Sequence, residues 1–189
     1  MKKILLCTVL CASAALAWAE KADASKPGSL SYKALDYDGV NLTKIVTGDV
    51  VLTQGSLLLK SDKATVKTDP EGYQYAVLTA DPGKLATFRQ KRDGGPNLWV
   101  EGQAERIEYD QKNETVILVG RAKVRQLDGA RLESEVDHVY IAYDSRKESF
   151  VMRNDVSGKD VAGGARGTMI FGGRHPNPSS ASATAAGKQ

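Results

Sequence analysis

The feature that most constrains the fold is an alternating unit that the chain carries twice. The first copy, TGDVVLTQGSLLLKSDKATV, spans residues 47–66, and the second, VGRAKVRQLDGARLESEVDHVYI, spans residues 119–141. In each copy apolar and polar residues alternate up to a turn at Gly55 or Gly129 and then alternate again. Because successive side chains of a β-strand point to opposite faces, this period of two predicts strands. A unit that recurs predicts one sheet surface extended by duplication.

Turn residues interrupt the chain about every eight to fifteen positions between residues 30 and 152. No window in that range places apolar residues at i, i+3, i+4 and i+7 for long enough to form a helix. The sequence therefore predicts an all-β sandwich, barrel or roll. The alternation changes phase between Leu59 and Ala64, which predicts a β-bulge near residues 61–62.

The first nineteen residues have the features of a secretory signal peptide. Lys2 and Lys3 precede a short apolar run over residues 4–16, and a small-residue Ala-Trp-Ala site ends at Ala19. The apolar run is too short to span a membrane. We therefore expect cleavage after Ala19 and export to the periplasm.

Export would leave the mature chain without cysteine, because Cys7 and Cys11 both lie in the predicted signal peptide. A cysteine-free chain in an oxidising compartment has no disulfide framework, thiol nucleophile or cysteine metal site. Removal of Lys2 and Lys3 also lowers the formal net charge from +3 to +1. This balanced charge argues against a nucleic-acid-binding protein, which needs a clustered basic surface.

Composition divides the remaining chain into three parts. Residues 20–29 are small and polar and predict a flexible lead-in. Residues 30–153 carry the alternating pattern and predict the β-domain. Residues 154–189 are rich in Gly, Pro, Ser and Ala and predict a low-complexity, mostly disordered tail. Within that tail, an apolar step at residues 168–171 leaves open whether one further strand forms.

The mature sequence lacks the patterns of common catalytic and metal sites. His138 lies at a polar position of a predicted strand, His175 lies in the predicted tail, and no His-x-His or His-Glu pattern occurs. Asp62, Glu105 and Asp137 each begin an acid–base–apolar step. A carboxylate cluster for acid–base chemistry is one interpretation of them. The favoured interpretation is that each pairs with the adjacent strand or ends a strand at its rim. The sequence predicts a protein that is not an enzyme and holds no cofactor or metal.

The two faces of the alternating strands differ in character. The apolar face carries Val46, Val50, Leu52, Leu118, Ala122 and Val124. The opposite face carries Thr47, Asp49, Thr53, Arg121, Lys123 and Arg125. The apolar face is either the closed core of a β-sandwich or the wall of a groove that stays open for a lipid.

Several stretches together carry a resemblance to a known family. VTGDVVLTQGSLLLKSDKATV, GKLATFRQKRDGG, VEGQAERIEYDQKNETVILVGRAKVRQLDG and YIAYDSRKESFVM resemble the OstA-like family of periplasmic lipopolysaccharide-transport bridge proteins, over residues 42–152. The resemblance implies an open, twisted antiparallel β-jellyroll that is V-shaped in cross-section. It also implies a carrier whose groove shields acyl chains between inner- and outer-membrane transport complexes, driven by an ATPase elsewhere. The implied partners are lipopolysaccharide, further copies stacked head to tail, and LptC-like and LptD-like jellyroll proteins at the inner and outer membranes.

Alternation and resemblance together predict a lipid-binding groove. Its predicted lining is Val46, Val50, Leu52, Leu57, Leu59, Phe88, Ile107, Tyr109, Leu118 and Val124. The inward face is ambiguous over residues 132–140, where both phases hold apolar residues. Basic residues expected at the rim of the groove are Arg89, Lys91, Arg92, Arg121, Lys123 and Arg125. The edge strands, at residues 30–37 and 150–152, are the predicted partner surfaces.

Three hypotheses of different classes follow from the sequence. The first is a lipid-conducting bridge, which predicts lipid adducts on the apolar face alone. The second is a structural β-module, which predicts oligomers that bind no lipid. The third is a carbohydrate-active enzyme on a β-roll, which predicts activity lost on substitution of Asp62 or Glu105. The first agrees best with the apolar face and the resemblance.

Overall fold

The chain folds into a network of antiparallel strands, seen in a computed structural model that describes residue 23 and residues 25–173. The strands are β1 (Gly28–Ser31), β2 (Ala34–Asp38), β3 (Thr43–Gln54), β4 (Leu57–Thr68), β5 (Gln74–Thr79), β6 (Ala86–Lys91), β7 (Leu98–Ala104), β8 (Arg106–Asp110), β9 (Thr115–Asp128), β10 (Arg131–Asp144), β11 (Ser149–Arg153) and β12 (Thr168–Phe171). The described part contains no helix that could cross a membrane. The predicted signal peptide, residues 20–22 and 24 of the lead-in, His175 and the end of the predicted tail lie outside the described residues.

Four long strands divide the network into two layers. Strands β3, β4, β9 and β10 each contribute one half to each layer. The layer called sheet I here has the order β1–β3–β4–β6–β7–β9–β10–β12. The layer called sheet II has the order β2–β3–β4–β5–β8–β9–β10–β11. This arrangement confirms the open, twisted antiparallel β-jellyroll.

The long strands pass between the sheets along one side of the roll, which we call the spine. At the spine β3 has a bulge at Gly48-Asp49, and β9 bends at Gly120-Arg121. All four residues have positive φ, between 46° and 82°. The sequence predicted a bulge near residues 61–62 of β4, but the bulge lies on the neighbouring strand β3. Gly48 of β3 takes the left-handed conformation that the bulge requires at low cost. On the opposite side, which we call the mouth, the turns of the two sheets face each other.

The duplication covers six strands rather than two. Strands β1–β6 pair with one another in the same way as β7–β12. At the spine of the first unit Lys33 forms an ion pair with Asp49 at 2.5 Å, and in the second Glu105 forms one with Arg121 at 2.7 Å. Both signs of charge are exchanged, so the pair persists although the residues differ. Because the two six-strand units correspond strand for strand, a contact seen in one unit predicts the equivalent contact of the other.

One strand prediction needs correction, and one question that the sequence left open is answered. The first strand, predicted over residues 30–37, is broken at the spine into β1 and β2. The apolar step at residues 168–171, which the sequence left open as a further strand, forms β12 and pairs with residues 134–137 of β10. Strand β12 occupies the position on β10 that β6 occupies on β4. Composition alone left this strand undecided because the edge of β10, rather than local apolar content, supplies its hydrogen bonds.

Candidate functional site

The candidate site is the space between the two sheets. The structure places all ten predicted groove residues there, each at most 6% exposed. Two of them, Leu57 and Tyr109, lie toward the mouth, and Val50 lies beside the spine. Their contact with a lipid stays a prediction, but their inward orientation follows from the alternation of the strands.

Cross-strand pairing joins these side chains into continuous apolar rows. In sheet I the row is Leu30, Leu52, Leu59, Phe88, Gly102, Val124, Val136 and Met169. In sheet II it is Leu35, Val46, Ala64, Leu78, Ile107, Leu118, Ile141 and Met152. Each row crosses every strand of its sheet, so apolar surface runs from one end of the roll to the other.

The Phe88 ring is accommodated by the absence of a side chain at Gly102. A Cβ atom at Gly102 would lie 2.6 Å from Cε1 of Phe88 and 2.9 Å from Cδ2 of Leu118. Both distances are below any normal contact, so a larger residue would displace the ring. Glycine at this position therefore leaves room for the aromatic ring of Phe88 between the sheets.

An aromatic series continues from Phe88 toward the β11 end. The Phe88 and Tyr143 ring centroids are 6.3 Å apart, and Tyr143 stacks on Phe150 at 4.8 Å. Tyr143 is among the largest fully buried side chains, yet it is missing from the predicted lining. Tyr143 lies two positions after Ile141 and therefore on the same face of β10, which was the available signal. Because the inward face of the preceding residues was ambiguous, this signal could not be used.

The interior is closed in its middle and accessible at its ends. Near β1 and β2 there is a cavity of about 270 Å³, whose lining includes Leu30, Leu35, Leu52 and Tyr109. At the opposite end Phe171 is 72% exposed and Met169 46% exposed. The apolar rows therefore reach solvent at two edges, whose strands β1 with β2 and β11 with β12 are paired on one side only among the described residues.

Polar side chains, by contrast, line the mouth. The Tyr109 hydroxyl donates a hydrogen bond of 2.8 Å to Oε1 of Gln54, and so joins sheet II to sheet I. Burial, aided by the nearby charge of Glu114, raises the pKa of Tyr109 far above its ordinary value. The hydroxyl is thus held protonated as the donor at every physiological pH.

The six basic residues expected at the rim are not together. Arg89, Lys91, Lys123 and Arg125 lie on the outer face of sheet I, because they alternate with the inward rows. Arg89 forms a cation–π contact with Trp99, 4.3 Å from the ring centroid. Arg121 lies at the spine and only Arg92 lies at the mouth, where its side chain is 14% exposed.

The three carboxylates that share a sequence step have separate partners. Asp62 accepts hydrogen bonds from the Asp81 amide at 2.8 Å and from Lys84 at 2.9 Å. The first of these contacts, with help from the second, lowers the pKa of Asp62. Glu105 pairs with Arg121, and Asp137 pairs with Lys123 at 3.1 Å. These pairs fit the favoured interpretation, and residues 25–173 hold no group of side chains suited to a metal ion.

A family model matches residues 33–149. Its description is "LptA/(LptD N-terminal domain) LPS transport protein". The matched segment begins at the spine before β2 and ends at the first residue of β11, so it spans most of the roll.

Relatives of this chain are named for the same system. It is 29% identical over 146 residues to the lipopolysaccharide export system protein LptA of Haemophilus influenzae, covering 77% of this chain and 81% of the relative. It is 34% identical over 127 residues to LptA of Escherichia coli K12, covering 66% of each chain, just under two thirds.

A solved structure has the same fold. It is LptH of Pseudomonas aeruginosa, described as the LptA homologous periplasmic component of the conserved lipopolysaccharide transport device. The match has a TM-score of 0.69 at 22% identity and covers 80% of this chain and 99% of the other. At this identity the likeness is evidence for the fold alone.

Proposed function

We propose a lipopolysaccharide-carrying role for this chain, which belongs to the family of LptA and LptD N-terminal-domain LPS transport proteins. The family works in periplasmic lipopolysaccharide transport. Our finer proposal is that the acyl chains travel in the apolar interior while the sugars stay outside. The single observation that carries this proposal is the pair of apolar rows that reach both ends of the roll.

The hydrophobic effect explains why such rows suit the cargo. Exposing one acyl chain of about a dozen carbons to water costs roughly 9 kcal/mol at about 0.8 kcal/mol per CH₂ group. A lipid that crosses an aqueous compartment therefore needs apolar contacts along its whole path. A carrier needs to bind and release the chains, and no step of this role requires a catalytic residue.

We further propose that copies stack head to tail, and the six-strand repeat specifies the contact. Within the chain, Phe88 of β6 is opposite Gly102 of β7. Met169 of β12 occupies the position equivalent to Phe88, because it faces Val136 as Phe88 faces Leu59. Leu30 of β1 is equivalent to Gly102. Met169 of one copy would then lie opposite Leu30 of the next.

The same reasoning applies to sheet II. Leu78 of β5 is opposite Ile107 of β8, and their equivalents are Met152 of β11 and Leu35 of β2. Pairing at both sheets would extend both apolar rows across the junction without a break. A contact between two different edges is heterologous, and it generates filaments rather than closed dimers.

The edges also suit the partners that the family implies. An unpaired strand edge recruits an extended strand of another protein through backbone hydrogen bonds. We propose that β1 and β2 accept an LptC-like jellyroll on the inner-membrane side. Strands β11 and β12 would then present the same kind of edge to an LptD-like jellyroll at the outer membrane.

Site-specific photo-crosslinking tests the carrier role. A crosslinking residue at Phe88 or Tyr109 should capture lipopolysaccharide, because both side chains point inward. The same residue at Lys123 or Arg121 should capture none, since these side chains lie on the outer face and at the spine. Equal labelling of both sets would contradict the proposal, and oligomers without any adduct would indicate a structural module instead.

A further inference from the structure

We propose that the mouth is the lateral entrance for acyl chains and that a polar clasp holds it shut. The clasp consists of Arg92 and Asp93 in the β6–β7 turn of sheet I and Glu148 in the β10–β11 turn of sheet II. A second closure, made by Asp23, covers the mouth near the β3–β4 turn. This inference rests on the proposed carrier role and adds to it how the cargo enters.

The clasp joins the two rows of turns directly. The Asp93 amide donates a hydrogen bond of 2.7 Å to Oε1 of Glu148. Nε of Arg92 lies 3.7 Å from the other carboxylate oxygen, Oε2. Arg92 is itself fixed to sheet I by a hydrogen bond of 2.9 Å from Nη1 to Glu133. One carboxylate of sheet II is therefore held by an amide and a guanidinium of sheet I.

The clasp is also incompletely formed. Nε of Arg92 is buried and has no hydrogen-bond partner among the described residues. A buried donor without a partner raises the free energy of the state that contains it. Closure at this point therefore carries a free-energy cost, which opening would relieve by giving Nε access to water.

The second closure lies over the other half of the mouth. The Asp23 carboxylate, in a residue that is 2% exposed, accepts a hydrogen bond of 2.8 Å from the Ser56 amide. It also contacts the Ser56 hydroxyl and forms an ion pair of 2.9 Å with Lys26. On the far side of the small cavity beside Asp23 are Glu114 and Tyr109 of sheet II. Asp23 thus lies on the sheet I side of the mouth, and this cavity separates it from sheet II.

The mouth is the place where the sheets can separate at least cost. At the spine four strands run continuously from one sheet to the other, so separation there would break their ladders. Across the mouth, the hydrogen bonds seen among the described residues all involve a side chain, such as those of Glu148 and Gln54. Since the interior is closed in its middle, an acyl chain requires such a separation.

A reversible disulfide across the mouth tests the inference. The double variant Asp93→Cys/Glu148→Cys places both thiols at the clasp, and the predicted mature chain contributes no other cysteine. The matched control, Lys33→Cys/Asp49→Cys, places a pair at the spine, where the native side chains already touch. The probe is lipid A with a fluorescent acyl chain, and the readout is its association rate with and without reductant.

We expect oxidation of the mouth pair to slow the association of lipid A at least about ten-fold, and reductant to restore the faster rate. The reason is that apparent binding falls in proportion to the fraction of molecules in the open state, and the disulfide prevents opening. Oxidation of the spine pair should leave the rate unchanged. The variant Glu148→Lys, which repels Arg92, should associate faster than the native chain. Equal rates for oxidised and reduced mouth variants, with lipid A still bound, would overturn the clasp and leave the carrier role intact. Absence of lipid A binding in every variant and the native chain would overturn both.

Discussion

Replacing Phe171 and Met169 with aspartate should keep the protein monomeric at concentrations where the proposed head-to-tail stacking would join native chains end to end. If two copies pair as β6 pairs with β7 within the chain, Met169 would lie opposite Leu30 of the next copy and Phe171 opposite Gly28, which would leave space for its ring. Burying each of these side chains contributes about 1.5–3 kcal/mol. Losing both should weaken association by about a hundred-fold or more, at 1.4 kcal/mol per factor of ten. Sedimentation equilibrium measures the effect.

The control for this prediction is Tyr73→Asp. Tyr73 is 42% exposed and lies in the β4–β5 turn, away from both end strands. The Tyr73→Asp substitution removes a similar area of exposed apolar surface. The association constant of this variant should equal that of the native chain. If Tyr73→Asp and the double variant weaken association equally, the oligomers form by general stickiness rather than by the edge of β12.

Replacing Tyr143 with alanine should lower the free energy of unfolding by about 3–5 kcal/mol, the range for truncation of a large buried aromatic residue. Tyr143 is completely buried and contacts both Phe88 and Phe150. Its loss would leave a cavity between the sheets at the centre of the aromatic series. Equilibrium unfolding in urea, followed by circular dichroism, measures the change.

The matched control is Tyr75→Ala, on the outer face of β5. Tyr75 is 38% exposed, and its hydroxyl donates a hydrogen bond of 2.5 Å to Glu108 at the surface. Its truncation should cost less than about 1 kcal/mol, as for most exposed substitutions. Similar losses for both tyrosines would mean that the interior contributes no special packing energy.

The inward face of the roll could be predicted from the sequence because alternation is a local signal. A residue such as Leu59 or Val124 needs only its own strand to determine its side of the sheet. The inward face of residues 132–140 in β10 could not be predicted, because apolar residues occur there in both phases and alternation then gives no signal. Tyr143 lies just after this stretch and was missed, although the structure buries it completely.

The remaining features depend on partners far along the chain. Glu148 and Asp93 are 55 positions apart, and no local pattern indicates that their turns meet. Strand β12 forms because β10 offers an edge, which composition does not record. The six-strand repeat could not be recognised at the spine by residue identity, because Lys33 and Glu105 occupy equivalent positions with opposite charge. Their partners, Asp49 and Arg121, also have opposite charge, so the ion pair is kept while both residues differ.

The most direct test of the interior as the lipid path compares two adjacent leucines of β4 in the native protein. Leu59 is completely buried between the sheets, while Leu58 lies on the outer face beside Arg89. The measurement is methyl NMR of the mature chain titrated with lipid A that carries a spin label at the end of an acyl chain. The account predicts strong paramagnetic broadening of the Leu59 methyl signals and little change at Leu58. Broadening of Leu58 alone, or equal broadening of both, would contradict it.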